Sequence, residues 1–334
     1  VVRKVTIKDV AALAQTSVTT VSLILNHKGQ RFSSETIDRV HKAQVELGYS
    51  PDYFAQNMVN KKTRTIAVLV PDINNPFFSE FIQGIEEVAY RENFIPLIYS
   101  VGANNQKVDY YLKELIRRNV DGFILAVSGL DINLLAQLST QQMPYILLDQ
   151  SEKQHQSDEI TVQDLMGGQM ATDYLIEHGH RKIGIVLPAN SAWNIDQRLL
   201  GYREALAAHD INFQDDWLIN TELSKKGGYQ VTNQVIASGV TAVFAVNDEL
   251  AIGLYRGFAE HQLNIPENLS IIGYDNVDWC EYVTPKLTTI KQPIFELGQE
   301  ATRLLLDRIA DPDKPIQQRI LAVSLIERDS VQPI

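Results

Sequence analysis

Amides, carboxylates, one guanidinium and a pair of aromatic rings stand directly behind short apolar runs in this 334-residue sequence. Asp72-Ile73-Asn74-Asn75-Pro76-Phe77-Phe78 follows the run Ile66 to Val70, Asp149 follows Tyr145 to Leu148, and Arg198 comes after Lys182 to Leu187. Asn247-Asp248 follows Phe244-Ala245-Val246, Asp275 follows Ile272-Gly273-Tyr274, and Gln292 stands beyond Thr288-Thr289-Ile290. A sugar offers flat C–H faces to aromatic rings and a ring of hydroxyls to carboxylates, guanidinium and amides, so this inventory suits sugar binding. Taken singly, an Asn or Asp after a strand most often caps the next helix or shapes a turn. Asp248 reads as such a cap for a helix beginning at Glu249, and Phe77 reads as the ring that packs inward, leaving Phe78 for a ligand.

The elements that must hold these groups follow from the rhythm of the chain. From Arg64 onward, buried-type runs (Ile66 to Val70, Pro96 to Tyr99, Gly122 to Val127, Tyr145 to Leu148) alternate with amphipathic stretches, including Phe77 to Arg91 and one through Leu112, Leu115 and Ile116. After Asp164 the rhythm restarts: strand Lys182 to Leu187, helix Gln197 to Ala208, strand Ala242 to Val246, helix Glu249 to Glu260, strand Leu269 to Tyr274. Continuous apolar strands alternating with helices predict parallel, doubly wound sheets, here two of them, in a two-lobed α/β core. Open sheets of this kind bind ligands beyond the carboxyl ends of their strands, where the residues above lie.

Enzymatic chemistry finds little support. No glycine-rich dinucleotide or Walker loop follows a strand, and Gly167-Gly168 and Gly227-Gly228 read as sites of backbone packing. His178-Gly179-His180 reads as a helix C-terminus, and the seven histidines form no metal-spaced cluster, so neither metal nor cofactor is expected. No local motif suggests an activated nucleophile. The single cysteine, Cys280, cannot form an internal disulfide. The start of the sequence does not look like a signal peptide and no apolar run approaches a membrane span, which predicts a cytoplasmic protein with no membrane partner.

The first sixty residues are of another kind. Thr6 with Asp9 makes a capping-box start to a first helix whose apolar face is Val10, Leu13 and Ala14. Ser17 caps a second, in which Val21, Ile24 and Leu25 face inward and Val18, Thr19, Ser22 and Leu23 face out. Ser33 caps a third, with Ile37, Val40, Val45 and Leu47 on one face and Gly48 as a left-handed stop; Ser50-Pro51 opens a fourth segment. Three short helices could also form a protein-interaction module, the lesser alternative on pattern alone. Charge favours nucleic acid: residues 1–64 hold ten Lys/Arg against five Asp/Glu, net +5, while the remainder carries twenty against thirty-six, net −16.

The runs Thr-Ile-Lys-Asp-Val-Ala-Ala-Leu-Ala from Thr6 and Ser-Val-Thr-Thr-Val-Ser from Ser17, with Asn26 and Gly48-Tyr49-Ser50-Pro51 through Ala55, resemble the lactose-repressor family of bacterial transcription regulators. The resemblance implies a helix-turn-helix headpiece over 1–48, a hinge helix and linker over 49–63, and an effector-binding and dimerisation core over 64–334. That core would have an N-lobe of about 64–162 and 292–322, and a C-lobe of about 163–291 and 323–334. It implies operator contacts from Thr6, Ser17, Val18, Thr19, Thr20, Ser22, Leu23, Asn26, Tyr49 and Ala55, with Met58 as the apolar wedge in the minor groove. Leu23 cannot hydrogen-bond guanine, which predicts an altered operator preference, and Gln15 either shifts the turn or adopts a left-handed conformation. In the core the resemblance implies effector contacts from Asn75, Phe77, Phe78, Asp149, Arg198, Asn247, Asp275 and Gln292. Leu223 stands where relatives supply an aromatic ring, so the stacking partner is either missing or replaced by Trp193. The implied partners are operator DNA, a second copy of the chain in a homodimer, and a small effector: ribose first, another sugar next, a purine third. The chain ends without an added heptad helix, which favours dimer over tetramer.

Overall fold

A computed structural model describes residues 5–26, 29–50, 63–102, 104–127, 130–149 and 157–334. The chain divides into two compact units, Val1–Thr63 and Arg64–Ile334.

In the first unit three helices, Ile7–Leu13, Val18–Leu25 and Ser34–Glu46, each begin at the residue whose side chain can satisfy free amides. The Asp9 carboxylate accepts from the Thr6 backbone N–H at 2.8 Å, Ser17 Oγ accepts from the Thr20 N–H at 3.0 Å, and Ser33 Oγ from the Thr36 N–H at 3.3 Å. Gln15 takes φ 51° in the turn and Gly48 φ 59° after the third helix, so the left-handed alternative at Gln15 is the one adopted. The core is small: Val10, Ala11, Ala14, Val21, Ile24, Val40 and Ala43. Two spacing-based assignments need correction. Leu13 is 44% and Val45 80% exposed, and Ala11 and Ala43 are buried with the expected core residues. At ~100° per residue Val45 lies about 140° around its helix from Val40, outside the arc that the other two helices cover. The hinge segment expected from Pro51 to Asn60 lies outside the described residues.

The second unit holds two six-stranded sheets. One comprises β1 (Thr65–Val70), β2 (Ile95–Ser100), β3 (Gly122–Leu125), β4 (Tyr145–Leu148), β5 (Asp158–Val162) and β11 (Gln318–Leu321), ordered β11-β5-β4-β3-β1-β2 and parallel throughout. The other comprises β6 (Ile183–Leu187), β7 (Leu218–Asn220), β8 (Ala242–Ala245), β9 (Ser270–Asp275), β10 (Thr288–Lys291) and β12 (Ser324–Ile326), ordered β12-β10-β9-β8-β6-β7, with only β12 antiparallel. Strands β3, β4, β6 and β8 are buried along their whole length because helices cover both faces, which is why they read as unbroken apolar runs. The chain passes between lobes after β5, β10 and β11. Helix Ile294–Ala310 therefore belongs to the first lobe, where Leu297, Ala301 and Leu305 join the core of Phe81 and Ile85, and helix Asp164–Glu177 belongs to the second, with Leu175 beside Ile183. In each sheet the order reverses beside the first strand, β1 or β6, and the loops at these reversals face the cleft where an open α/β sheet binds its ligand.

Candidate functional site

The second lobe's wall of the cleft is built by two helices in backbone contact. Helices Asp164–Glu177 and Trp193–Ala208 approach so closely that a Cβ on Gly168 would stand 2.2 Å from the Arg198 carbonyl oxygen, and one on Gly201 2.1 Å from that of Leu165. Such an approach is open only to glycine, and it sets Asp164 and Arg198 side by side. Gly167 plays the same part for Tyr274, whose hydroxyl would lie 2.4 Å from an added Cβ.

Arg198, 3% exposed, is held at two of its three guanidinium nitrogens by this arrangement. Its Nε donates to Asp164 Oδ1 at 2.8 Å, a terminal nitrogen donates to the Val246 carbonyl at 2.7 Å and lies 3.9 Å from Asp275 Oδ1, and the guanidinium sits 3.7 Å above the Tyr274 ring. Tyr274 in turn donates its hydroxyl to Asp164 Oδ1 at 3.2 Å. Burial alone would lower the Arg198 pKa, but the neighbouring carboxylate of Asp164, with Asp275, outweighs it and the guanidinium stays charged.

Asp275 closes the strand β9 with φ 119°, and its Oδ1 accepts from Gln292 Nε2 at 2.6 Å. Behind it, Asp248 corrects the expectation of a cap. Asn247 is the N-cap, its Oδ1 accepting from the Leu250 N–H at 3.0 Å, whereas Asp248 is fully buried in the first turn. Asp248 accepts from Thr289 Oγ1 at 2.6 Å, the Val277 N–H at 2.9 Å and Cys280 Sγ at 3.1 Å, tying the helix Asp248–Glu260 to the strand ends that carry Asp275 and Gln292. Burial lifts its carboxyl to about 6 despite those three donors.

The first lobe contributes less. Asn75 caps helix Pro76–Arg91 by accepting from the Phe77 N–H at 2.9 Å, and its amide reaches Glu249 of the other lobe at 3.2 Å. Phe77 is buried in the lobe core and meets the part-buried Phe78 edge to face, centroids 5.0 Å apart, as expected for an inward and an outward ring. Asp149, held at φ 55°, accepts from Asn194 Nδ2 across the cleft at 3.3 Å. Burial, then the nearby Asp164 carboxylate, push its carboxyl well above the usual range; Arg198 pulls the other way.

Three acceptor atoms in this cluster are buried with no hydrogen-bond partner: Asp149 Oδ1, Asp164 Oδ2 and Gln292 Oε1. An orphaned buried acceptor costs about 1–3 kcal/mol, so three in one place mark where donors from outside the chain would be most stabilised.

Of the effector residues expected from sequence, Arg198, Asp275 and Gln292 meet in one network, with Asp149 near enough to be influenced by Asp164 and Arg198 and with Asn75, Asn247 and Phe78 on the loops and helix starts around it. Trp193 opens its helix and is partly exposed, and Leu223, 39% exposed, follows β7; the network includes neither. Sequence reasoning missed Asp164 and Tyr274. The signal for Asp164 was an acidic residue between a strand and a Gly-Gly-bearing helix, but its partner lies 34 residues away. In the first unit, Thr19 and Val18 are exposed, the latter 40%, Thr20, Ser22, Leu23 and Tyr49 are partly exposed, and Asn26 donates back to the Ser22 carbonyl at 2.7 Å. Ala55 and Met58 lie outside the described residues.

A two-lobed receptor for a donor-rich small molecule, carried on the same chain as a helix-turn-helix unit, is the class that these features define. Residues 6–52 match the bacterial regulatory proteins of the lacI family and residues 172–331 match a periplasmic binding protein-like domain. The chain is 33% identical to the ribose operon repressor of Haemophilus influenzae, covering 98% of both proteins, and 35% identical to the HTH-type transcriptional repressor PurR of Vibrio atlanticus, covering 98% of this chain and 99% of the other. Among solved structures it resembles a LacI family transcriptional regulator from Enterococcus faecium with bound ribose, at 46% identity and TM-score 0.76 over 81% of this chain and 99% of that one. The chain belongs to the lacI family of bacterial regulatory proteins.

Proposed function

We propose that the chain is a ligand-gated transcriptional repressor, not an enzyme, that acts as a homodimer on a pseudo-palindromic operator and takes ribose as its effector. The observation that carries the effector reading is the cluster of three orphaned acceptors around a guanidinium already engaged at Asp164. A pentose supplies a hydroxyl donor to each acceptor and a C–H face to Phe78. A purine base offers fewer donors and several acceptors of its own, so the acceptor-rich cleft favours the sugar although a purine repressor is an equally similar relative. The ribose-bound relative and the ribose operon repressor support the same reading.

Arg198, Asn247 and Asp275 hold the sugar from one side in this reading, with Asn75, Phe78, Asp149 and Gln292 on the other; Phe77, Trp193 and Leu223 contribute apolar surface at most. Thr6, Ser17 to Thr20, Ser22, Leu23, Asn26 and Tyr49 meet the duplex, with Ala55 and Met58 in the hinge segment. Two headpieces related by a two-fold axis match two half-sites. Effector changes operator affinity only through its differential affinity for the two core conformations, and a 10- to 1,000-fold effect corresponds to about 1.4–4 kcal/mol of coupling. Isothermal titration of the purified protein with ribose, other pentoses, hexoses and hypoxanthine tests the assignment. Ribose should give the tightest binding and shift the operator titration; absence of heat for every sugar would remove the effector reading.

A further inference from the structure

Resting on the operator-binding reading, we infer that the second helix of the first unit reads thymine by its C5-methyl group: Val18, Thr19 and Leu23 form the apolar surface that does so, and guanine passes unread by this helix. What decides this is the chemistry missing from its outward face. Helix Val18–Leu25 has no charged residue, and Val21 and Ile24 are buried in the small core with Val10 and Val40. At ~100° per residue, Val18, Ser22, Asn26, Thr19 and Leu23 follow one another around an arc of about 140° on the other side. Val18 and Thr19 are exposed and Ser22, Leu23 and Asn26 partly so, which makes this arc the face open to a partner.

Reading guanine in the major groove takes a side chain that donates to O6 and N7 together, and reading adenine takes an amide that donates and accepts at once. Asn26 is the only amide on the arc, and its Nδ2 is turned back on its own helix, donating to the Ser22 carbonyl at 2.7 Å and standing 3.4 Å from Ser22 Oγ. Ser17 and Thr20 are committed to the cap: their hydroxyls share a hydrogen bond of 2.8 Å, and Ser17 Oγ accepts from the Thr20 N–H. Two single hydroxyls remain, Thr19 and Ser22, which suit any base pair, beside three hydrocarbon surfaces, the Val18 and Leu23 side chains and the Thr19 methyl. Among the four base-pair edges of the major groove only thymine presents a methyl group, so hydrocarbon placed there recognises thymine and removes apolar area from water. Lys8, Arg31, Arg39 and Lys42, the lysines and arginines of the described first unit, lie off this helix, where they supply phosphate attraction that carries no sequence information.

The test starts from the operator that full-length protein selects out of a random duplex pool, with and without ribose, and measures Kd at fixed salt on duplexes altered by one group at a time. Replacing thymidine by deoxyuridine removes only the methyl, and replacing guanine by 7-deazaguanine removes only the N7 acceptor. At least two thymines in each half-site should lose about fourfold on methyl removal, the equivalent of about 0.8 kcal/mol for one buried methyl, and 7-deazaguanine should cost less than that at every position. Leu23→Ala and Val18→Ala should each abolish the deoxyuridine penalty at one thymine and leave the others, and Leu23→Arg should bring in a guanine requirement. If no deoxyuridine penalty reaches twofold, or if 7-deazaguanine costs as much as deoxyuridine or more, the inference fails while the operator reading stands; a protein that enriches no sequence in either condition takes both down. Penalties unchanged in both alanine variants would overturn the assignment to Val18 and Leu23. Should a variant not fold, the wild-type comparison of the altered duplexes decides the chemistry.

Discussion

The two lobes of the core share one strand order and divide the work unequally. Both carry six strands in the same order around the reversal, yet the second lobe supplies Asp164, Arg198, Tyr274 and Asp275 as a connected network, while the first supplies a lone carboxylate, Asp149, and an aromatic edge. The second lobe is thus preorganised, with most ordering costs met on folding. Two of the first lobe's side chains also reach across the cleft, Asp149 to Asn194 and Asn75 to Glu249. Similar folds can therefore divide binding into a fixed receptor and a closing wall, and closure is where ligand occupancy can couple to the relative position of the lobes.

That contrast can be broken most severely at Arg198. Arg198→Ala leaves Asp164 and Asp275 buried without their cation, so denaturant titration should show about 3–5 kcal/mol lost and calorimetry no effector heat; unchanged stability would mean that the network is not the second lobe's foundation. In the first lobe the order of effects should invert. Asp149→Asn tolerates the left-handed backbone, removes a charge that burial disfavours and should leave stability unchanged or raised, while ribose binding weakens roughly 10- to 100-fold.

The same residue fixes a pH dependence. Its carboxyl is raised in the free protein by burial and by Asp164, with Glu159 adding and Arg198 opposing. Sugar hydroxyls donate to the ionised form, so binding releases a proton, and affinity should strengthen as pH rises and level off once the free carboxyl is ionised. Titrations across pH should show that slope in the wild type and a shallower one in Asp149→Asn; the opposite slope would contradict the donor-to-carboxylate geometry. The smallest effect belongs to the rim. Glu249→Ala removes the contacts to Asn75 and Lys225 and should shift effector affinity by no more than about fivefold, the scale of a partly solvated ion pair, without altering the preference among sugars.

Legibility from sequence followed the locality of the cause. Strands covered on both faces announced themselves, and so did helices opened by Thr6, Ser17, Ser33 and Asn75, because burial on two sides and capping act within a few residues. β5, β7, β11 and β12 gave no such signal: Asp158-Glu159 and Gln318-Arg319 break the apolar run in two of them, and the first is charged because Asp158 receives Arg308 bidentately at 2.8 and 2.9 Å from 150 residues away. Leu13 and Val45 were misplaced because spacing alone does not say how wide a face three small helices bury. Asn247 took the cap expected of Asp248 for a like reason. Either could cap, and the geometry of Thr289, Val277 and Cys280 placed Asp248 in the interior.

The linear order of residues by itself determined two units of opposite charge, a capped helix-turn-helix start, and paired α/β lobes with polar groups at their strand ends, since capping, periodicity and charge are properties of neighbours along the chain. Only the tertiary structure decided that Asp164 occupies Arg198, that Gly168 and Gly201 allow it, and that three acceptors remain unmatched. Those facts depend on helices brought within van der Waals reach across tens of residues, where a single Cβ or a 3 Å separation sets which partner a buried charge will find.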